Sequence, residues 1–454
     1  MKKNSYFSLV AILFFGLMTQ AQSKKWTLEE CVKYALENNI SIKQSELDTQ
    51  TATIDKKSAF GNLLPSINAS TSHSWNIGLN QDITTGLLRN QTTQFTSTGM
   101  NVGIDIYKGL QNQNNLRRAN LALVASKYQL LKMQEDIALN VANAFLQVLF
   151  NKENLKVQLE QLAINEKQLA RSSELVSVGV VPRGDLLDIK ASVAQTRQNV
   201  VAAEDTLLIS KLSLSQLLQL KDFENFDVVD VMDINNNATI LAQSPSAIID
   251  KAKESRTELK IAQTNLEIAQ KNLAIAKGAF QPSLQGFYGF NSRISYADVA
   301  VISGGVISTK PANPFWTQFS DNKGQSFGAQ LSIPIFNGLA TKNNVERSKV
   351  NLQKATIALE QQNLNLERTI YTAFTDAKGA LKANESAISS FEARQEAYNY
   401  AKEKFAVGLM NSFDYNQAQT LLVNAQSEVL RTKYDSIFKI KILEFYFGIP
   451  IIKN

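Results

Sequence analysis

The sequence predicts a mainly α-helical fold joined to a membrane β-barrel: long coiled-coil helices in a unit written twice, with four β-strands per chain that only several chains together can close. Three observations predict it. The two halves of the chain match at a nearly constant offset, the first half holds a 68-residue run free of glycine and proline whose seven-residue apolar spacing recurs in the second, and each half holds short segments of apolar–polar alternation.

Composition narrows the field first. Of 454 residues, 44% are hydrophobic and 19% charged, with only 8 Pro and 20 Gly. So little backbone punctuation argues against a loop-rich all-β protein and against disorder. A single cysteine, Cys31, excludes an intramolecular disulfide framework and a multi-cysteine zinc site, and a single histidine, His73, excludes a His-pair metal site. No glycine-rich phosphate loop and no nucleophile–base set stands in the sequence, so no enzyme, cofactor or metal site is expected.

Residues 1–21 read as a secretory signal peptide: Lys2 and Lys3 precede an apolar run from Leu9 to Met18, and Thr19-Gln20-Ala21 suits cleavage. That run is far shorter than the ~20 residues a spanning helix needs. Loss of Lys2 and Lys3 lowers the formal charge from +6 to +4, too small an excess to suggest a nucleic-acid partner. No later stretch is apolar for long enough to span a bilayer as a helix, so a membrane role falls to β-strands.

The duplication is read from paired motifs. Pro65 in GNLLPSI and Pro282 in GAFQPSL stand 217 residues apart, as do Ala35 and Ala252. YKGL around Gly109 and FNGL around Gly338 stand 229 apart, as do Gly179 in VGVVPRGDLLD and Gly408 in VGLMNSFDYNQ. One insertion of 12 residues, near 295–323, accounts for the change of offset. The implied organisation is a first repeat over 22–222, an inter-repeat segment over 223–250, a second repeat over 251–448 and a tail over 449–454. Each repeat carries a β-hairpin (near 66–107 and 283–336) and a long helical hairpin (near 110–221 and 339–447).

Leu116, Leu123, Leu130 and Ile137 recur every seven residues, and Val345, Leu352, Leu359 and Leu366 repeat them 229 residues on. Such spacing marks helices that supercoil around neighbours. The run from Gln111 to Val178 would form one helix about 100 Å long, ended by Gly179 and Pro182. Partner helices are expected over 185–220 and 414–447.

Strands follow from period two. Ile67, Ala69, Thr71, His73, Trp75, Ile77 and Leu79 fall on one face, opposite serines and asparagines, and Met100, Val102, Ile104 and Ile106 alternate likewise. The second repeat does so with Leu284, Tyr288 and Phe290, and with Phe327, Ala329, Leu331, Ile333 and Ile335. Four strands cannot close a barrel, and an open edge in lipid leaves backbone groups unpaired. Closed membrane barrels begin at about eight strands, so chains must pool theirs; two chains and three chains both satisfy this.

These features resemble the TolC-like outer membrane factor family: the duplicated unit, PSI and PSL before the first strand of each hairpin, the GL pair after the second, and the turns VGVVPRGDLLDIKAS and VGLMNSFDYNQAQ. The resemblance covers essentially the whole mature chain. It implies a homotrimer whose twelve strands form one barrel in the outer membrane and whose long helices form a coiled-coil barrel, a tunnel extending into the periplasm. It further implies a passive exit channel for drug efflux or type I protein secretion, partnered by a periplasmic adaptor and an inner-membrane pump.

The resemblance also assigns the helical turns. Family aspartates after the second turn ring the tunnel's constriction, and Asp414 matches one; the next acidic position is Gln417 here. Asp185 and Asp188 come after the first turn. For Asp185 and Asp414, a helix-capping role competes with the gate. Three facing carboxylates would repel one another and attract cations. The family's prototype locks its closed state with a tyrosine and an arginine where this chain has Phe405 and Met410. Gly179 and Gly408 end their helices, and Val180, Val181, Leu409 and Met410 are the expected exposed contacts for an adaptor. A secreted structural coiled-coil protein without a channel is the competing reading.

Overall fold

The computed structural model describes residues 25–81, 88–221, 223, 225–229, 238–304 and 306–451; the expected signal peptide lies outside them, as does part of the inter-repeat segment. Among the described residues no helix is long and apolar enough to cross a membrane.

The order is β1 (Lys25–Trp26), α1 (Leu28–Asn38), α2 (Ile40–Gly61), β2 (Ser66–Gln81), β3 (Leu88–Lys108), α3 (Gln111–Ser177), α4 (Arg183–Leu218), β4 (Asp227–Val228), a 3-10 turn (Ala238–Ala242), α5 (Pro245–Ser255), α6 (Thr257–Gly278), β5 (Ser283–Ser295), β6 (Val299–Ser303), β7 (Val306–Lys310), α7 (Phe315–Asp321), β8 (Gly324–Ser332), α8 (Ala340–Ala406) and α9 (Ser412–Phe447).

The duplication is visible in the backbone itself. The α1–α2 and α5–α6 pairs break at Asn39 (φ −62°, ψ 132°) and Arg256 (φ −66°, ψ 130°), 217 residues apart. The left-handed residues Gly109 and Leu110 recur as Gly338 and Leu339, and Gly179 recurs as Gly408, all 229 apart. Both α3 and α8 have 67 residues, and both α4 and α9 have 36.

The chain divides into two compact units. The first comprises residues 1–47, 128–260 and 360–454. It holds two buried clusters that are repeats of one another. Val32, Ala35, Val141 and Leu214 belong to one, and Ile249, Ala252, Ile370 and Leu443, at the equivalent positions, to the other. Cys31 is fully buried in the first cluster. β1 and β4 pair in parallel, and Asp227 on β4 receives Lys152 at 2.8 Å and Lys211 at 2.9 Å, fixing this strand to α3 and α4.

The second unit comprises residues 48–127 and 261–359. Its main sheet is antiparallel, ordered β2-β3-β5-β8, so β2 and β8 are its open edges. The register places Ile67 opposite Val102, Val102 opposite Tyr288, and Tyr288 opposite Phe327. At these rows one face is therefore apolar across all four strands, and in the single chain its edge strands are bare: Ile77 is 82% and Phe327 84% exposed. β3 begins well before Met100, where the alternation starts, and a bulge between Asp105 and Tyr107 sets Tyr107 rather than Ile106 opposite Leu284. Ile333 and Ile335 lie beyond β8, because Pro334 lacks the N–H that would continue the ladder. The long insertion is ordered as the β6–β7 hairpin and α7, whose Phe319 stacks on Phe315 and lies 6.0 Å from Phe290 of β5.

Candidate functional site

The two helical turns lie in the first unit, and each is built the same way. Gly179 and Gly408 both adopt φ 77°, a conformation that glycine alone takes freely. Around the first, Gly179 N–H donates to Val176 and Val180 N–H to Leu175; around the second, Gly408 N–H donates to Phe405 and Leu409 N–H to Lys404. This double closure satisfies carbonyls left over at the helix end.

Beyond the glycines the two turns diverge. α4 starts after Pro182, which offers no side-chain cap. Asp185 is therefore not an N-cap; it sits in the first turn, where the helix dipole favours a carboxylate. α9 starts after Asn411, whose side chain accepts the Asp414 N–H at 2.8 Å and donates to the Asp414 carboxylate at 2.9 Å. Asp414 is thus held in a reciprocal cap, and it remains exposed.

The turns meet at Ser412. Its hydroxyl, 2% exposed, lies 3.0 Å from Asp185 Oδ1 and 3.2 Å from Asp188 Oδ2. One donor from the second repeat is therefore shared between two carboxylates of the first. Sequence reading missed Ser412, since nothing in the order NSFD distinguishes a buried hydroxyl. The Asn411–Asp414 cap was readable from Asn three residues before Asp at a helix start.

The expected adaptor contacts divide. Val180 (68%) and Leu409 (77%) are exposed. Val181 and Met410 are half-buried, so the expectation that all four are exposed is corrected. Met410 packs with Phe405 against a cluster of Tyr398, Ala401, Tyr415 and Leu422. Within it Phe405 stacks on Tyr415 at 4.6 Å, and the Tyr398 and Tyr415 hydroxyls are 2.9 Å apart. Burial and the Tyr398 hydroxyl push the Tyr415 phenol well above its ordinary pKa. Positions that carry a polar lock in the family's prototype here hold an aromatic core. Gln417 is exposed beside this turn and supplies no carboxylate. His73 bonds Thr96 at 2.8 Å, and among the described residues no group of His, Cys, Asp and Glu is placed to hold a metal.

Paired helical hairpins, a duplicated backbone and a four-stranded sheet apolar on its bare face are the features of a channel-type outer-membrane subunit. The sequence matches the family model described as outer membrane efflux protein over residues 31–219 and 248–437. This chain belongs to that family, which is one of outer-membrane channels rather than catalysts. The outer membrane protein TolC of Escherichia coli K12 is 20% identical over 432 residues, covering 94% of this chain and 83% of that one. Among solved structures, a membrane protein from Pseudomonas aeruginosa matches with a TM-score of 0.78 at 17% identity, over 92% of this chain and 90% of that one. The CmeC outer membrane channel of Campylobacter jejuni matches with a TM-score of 0.76 at 20% identity, over 93% and 85%.

Proposed function

We propose that three copies of this chain form one outer-membrane exit channel of a tripartite efflux or type I secretion system. The observation that carries this is the sheet: four strands with two open edges and a bare apolar face. Unpaired edges are intolerable in lipid, and a third of a twelve-stranded barrel leaves none once closed. Substrates pass passively from an inner-membrane pump, joined through a periplasmic adaptor, along the tunnel lined by α3, α4, α8 and α9.

The turns at Gly179 and Gly408 are the periplasmic mouth. Asp414 contributes a three-fold ring of carboxylates there, with Asp185 and Asp188 beside it, and Val180 and Leu409 face the adaptor. Purified full-length protein tests the reading. It should run as a heat-modifiable trimer in detergent and open discrete conductances in planar bilayers. A monomer soluble without detergent, or a trimer that leaves bilayers silent, overturns it and favours the structural coiled-coil alternative.

A further inference from the structure

Unit two contains a cavity of about 760 Å³ where α2, α3 and α6 run side by side. Phe60, Leu116, Leu121 and Leu123 give it apolar walls; Lys56, Lys57, Arg117 and Lys271 give it four cations, against one carboxylate, Glu267. Arg117 is held by the Asn114 side chain at 3.5 Å, and none of the four cations forms an ion pair with a described carboxylate. So much unpaired charge over apolar walls suits an amphipathic anion.

Its place in the fold says which one. α2 leads into β2, α3 follows β3 and α6 leads into β5, three neighbouring strands. The cavity therefore spans α3 rather than an edge of the protomer, where a second copy would pair. Arg117 is nine residues past the end of β3 and six past the start of α3, about 9 Å along the helix. Nearer the strands the surface is apolar and exposed, at Phe60, Leu64 and Ile106. Moving away from the sheet, the surface passes from lipid-like to cationic.

Chirality fixes the face. Gln94 lies on the apolar side of β3, and its carbonyl accepts from Tyr296 N–H on the β5 side. On a descending strand of L-residues, a side chain facing the observer puts its carbonyl to the observer's left. Seen from the apolar face, β5 is then left of β3 and β2 right. Down α3, Asn112 and Ser126 face α2 through bonds to Asn62 and Thr49. The right-handed helix turns clockwise from there, seen from the sheet end, reaching Asn120 and Arg117 before the side toward α6. The cavity thus opens on the same side as the apolar face of the sheet.

We propose that this cavity seats the headgroup of an anionic phospholipid from the periplasmic leaflet of the outer membrane, its acyl chains lying up against Phe60, Leu64 and Ile106. This rests on reading the sheet as part of a membrane barrel. Each cation near such a surface contributes about fivefold in affinity.

The test is native mass spectrometry of the detergent-purified full-length trimer titrated with phosphatidylglycerol, phosphatidylcholine or inorganic phosphate. The wild type should retain phosphatidylglycerol at least tenfold better than phosphatidylcholine and should not bind phosphate alone. The Lys56→Gln/Lys57→Gln/Arg117→Gln variant should lose that preference, whereas Lys342→Gln/Arg347→Gln/Lys349→Gln, with equal charge loss on α8, should keep it. Equal retention of both lipids by the wild type overturns the proposal whether or not either variant folds. So does binding of phosphate alone, or equal loss in both variants. Failure to trimerise or conduct would instead refute the channel itself.

Discussion

Replacing Ser412 with Ala removes the one hydroxyl that ties the second hairpin to Asp185 and Asp188 of the first. A hydrogen bond to a charged group contributes ~1.5–3 kcal/mol. Here one proton is shared between two acceptors, and Asp188 is exposed, so water replaces part of what is lost. The net cost is about 1–2 kcal/mol per protomer, a factor of roughly 5–30 in any equilibrium that parts the hairpins. If parting them opens the periplasmic mouth, S412A should raise open probability in planar-bilayer recordings by that factor without changing trimer yield. Asp185→Asn should do likewise, and the double variant should be little worse than either alone, since both remove one interaction. Wild-type open probability in S412A, or fully additive effects, would refute the tie as a gating element.

Asp414→Ala should increase conductance and weaken block by divalent cations, read in the same recordings, and should cost ~0.3–1 kcal/mol of α9 stability by removing a carboxylate from the helix's first turn, the Asn411 cap on the residue-414 N–H being kept. Leu409→Asp should abolish efflux complementation in cells while heat-modifiable trimers still form; retained drug resistance would exclude this residue from the adaptor contact. Tyr415→Phe should leave the buried Tyr398 hydroxyl unpaired, destabilising the turn by ~1–2 kcal/mol, seen as faster amide exchange over residues 398–422. Lys152 and Lys211 hold the Asp227 carboxyl below the usual range although burial acts the other way. A carboxylate with a lowered folded-state pKa stabilises above its unfolded value and loses that contribution as pH falls. Melting temperatures of wild type and Asp227→Asn should therefore differ most near pH 7 and converge below about pH 4, the ordinary Asp value.

The helical plan was legible because it is written twice. Gly179 and Gly408 each stop a long helix in the same left-handed turn, and a single offset aligns every helix boundary of the two long hairpins. The sheet was legible only in part. Across the upper half of β3, Thr92, Gln94 and Thr96 lie opposite Ile77, Trp75 and His73. These polar side chains occupy the face that lower down holds Met100 and Val102, so period two fades although the strand continues. Pairing with β2 and β5 supplies what the local pattern lacks. At the turns, burial was the hidden variable. Met410 reads as an exposed apolar residue in a loop, yet the aromatic cluster around Tyr415 draws it in.

Duplication also explains why the turns, not the shafts, carry the differences. Along the shafts both copies must pack the same way, so Val141 answers Ile370 and Leu214 answers Leu443 in equivalent clusters. At the tips the copies have separated into complementary partners. The position of Ser412 is Arg183 in the first copy, and that of Asp188 is Gln417 in the second. The bond therefore joins a hydroxyl found only in the second copy to a pair of carboxylates found only in the first. The second copy is further stiffened by Phe405, Met410 and Tyr415, where the first has Val176, Val181 and Leu186. At the tips an aromatic turn is bonded through Ser412 to a turn of smaller aliphatic side chains. Loss of that bond should therefore loosen the first turn more than the second, read as a larger gain in amide exchange over residues 176–189 than over 405–418.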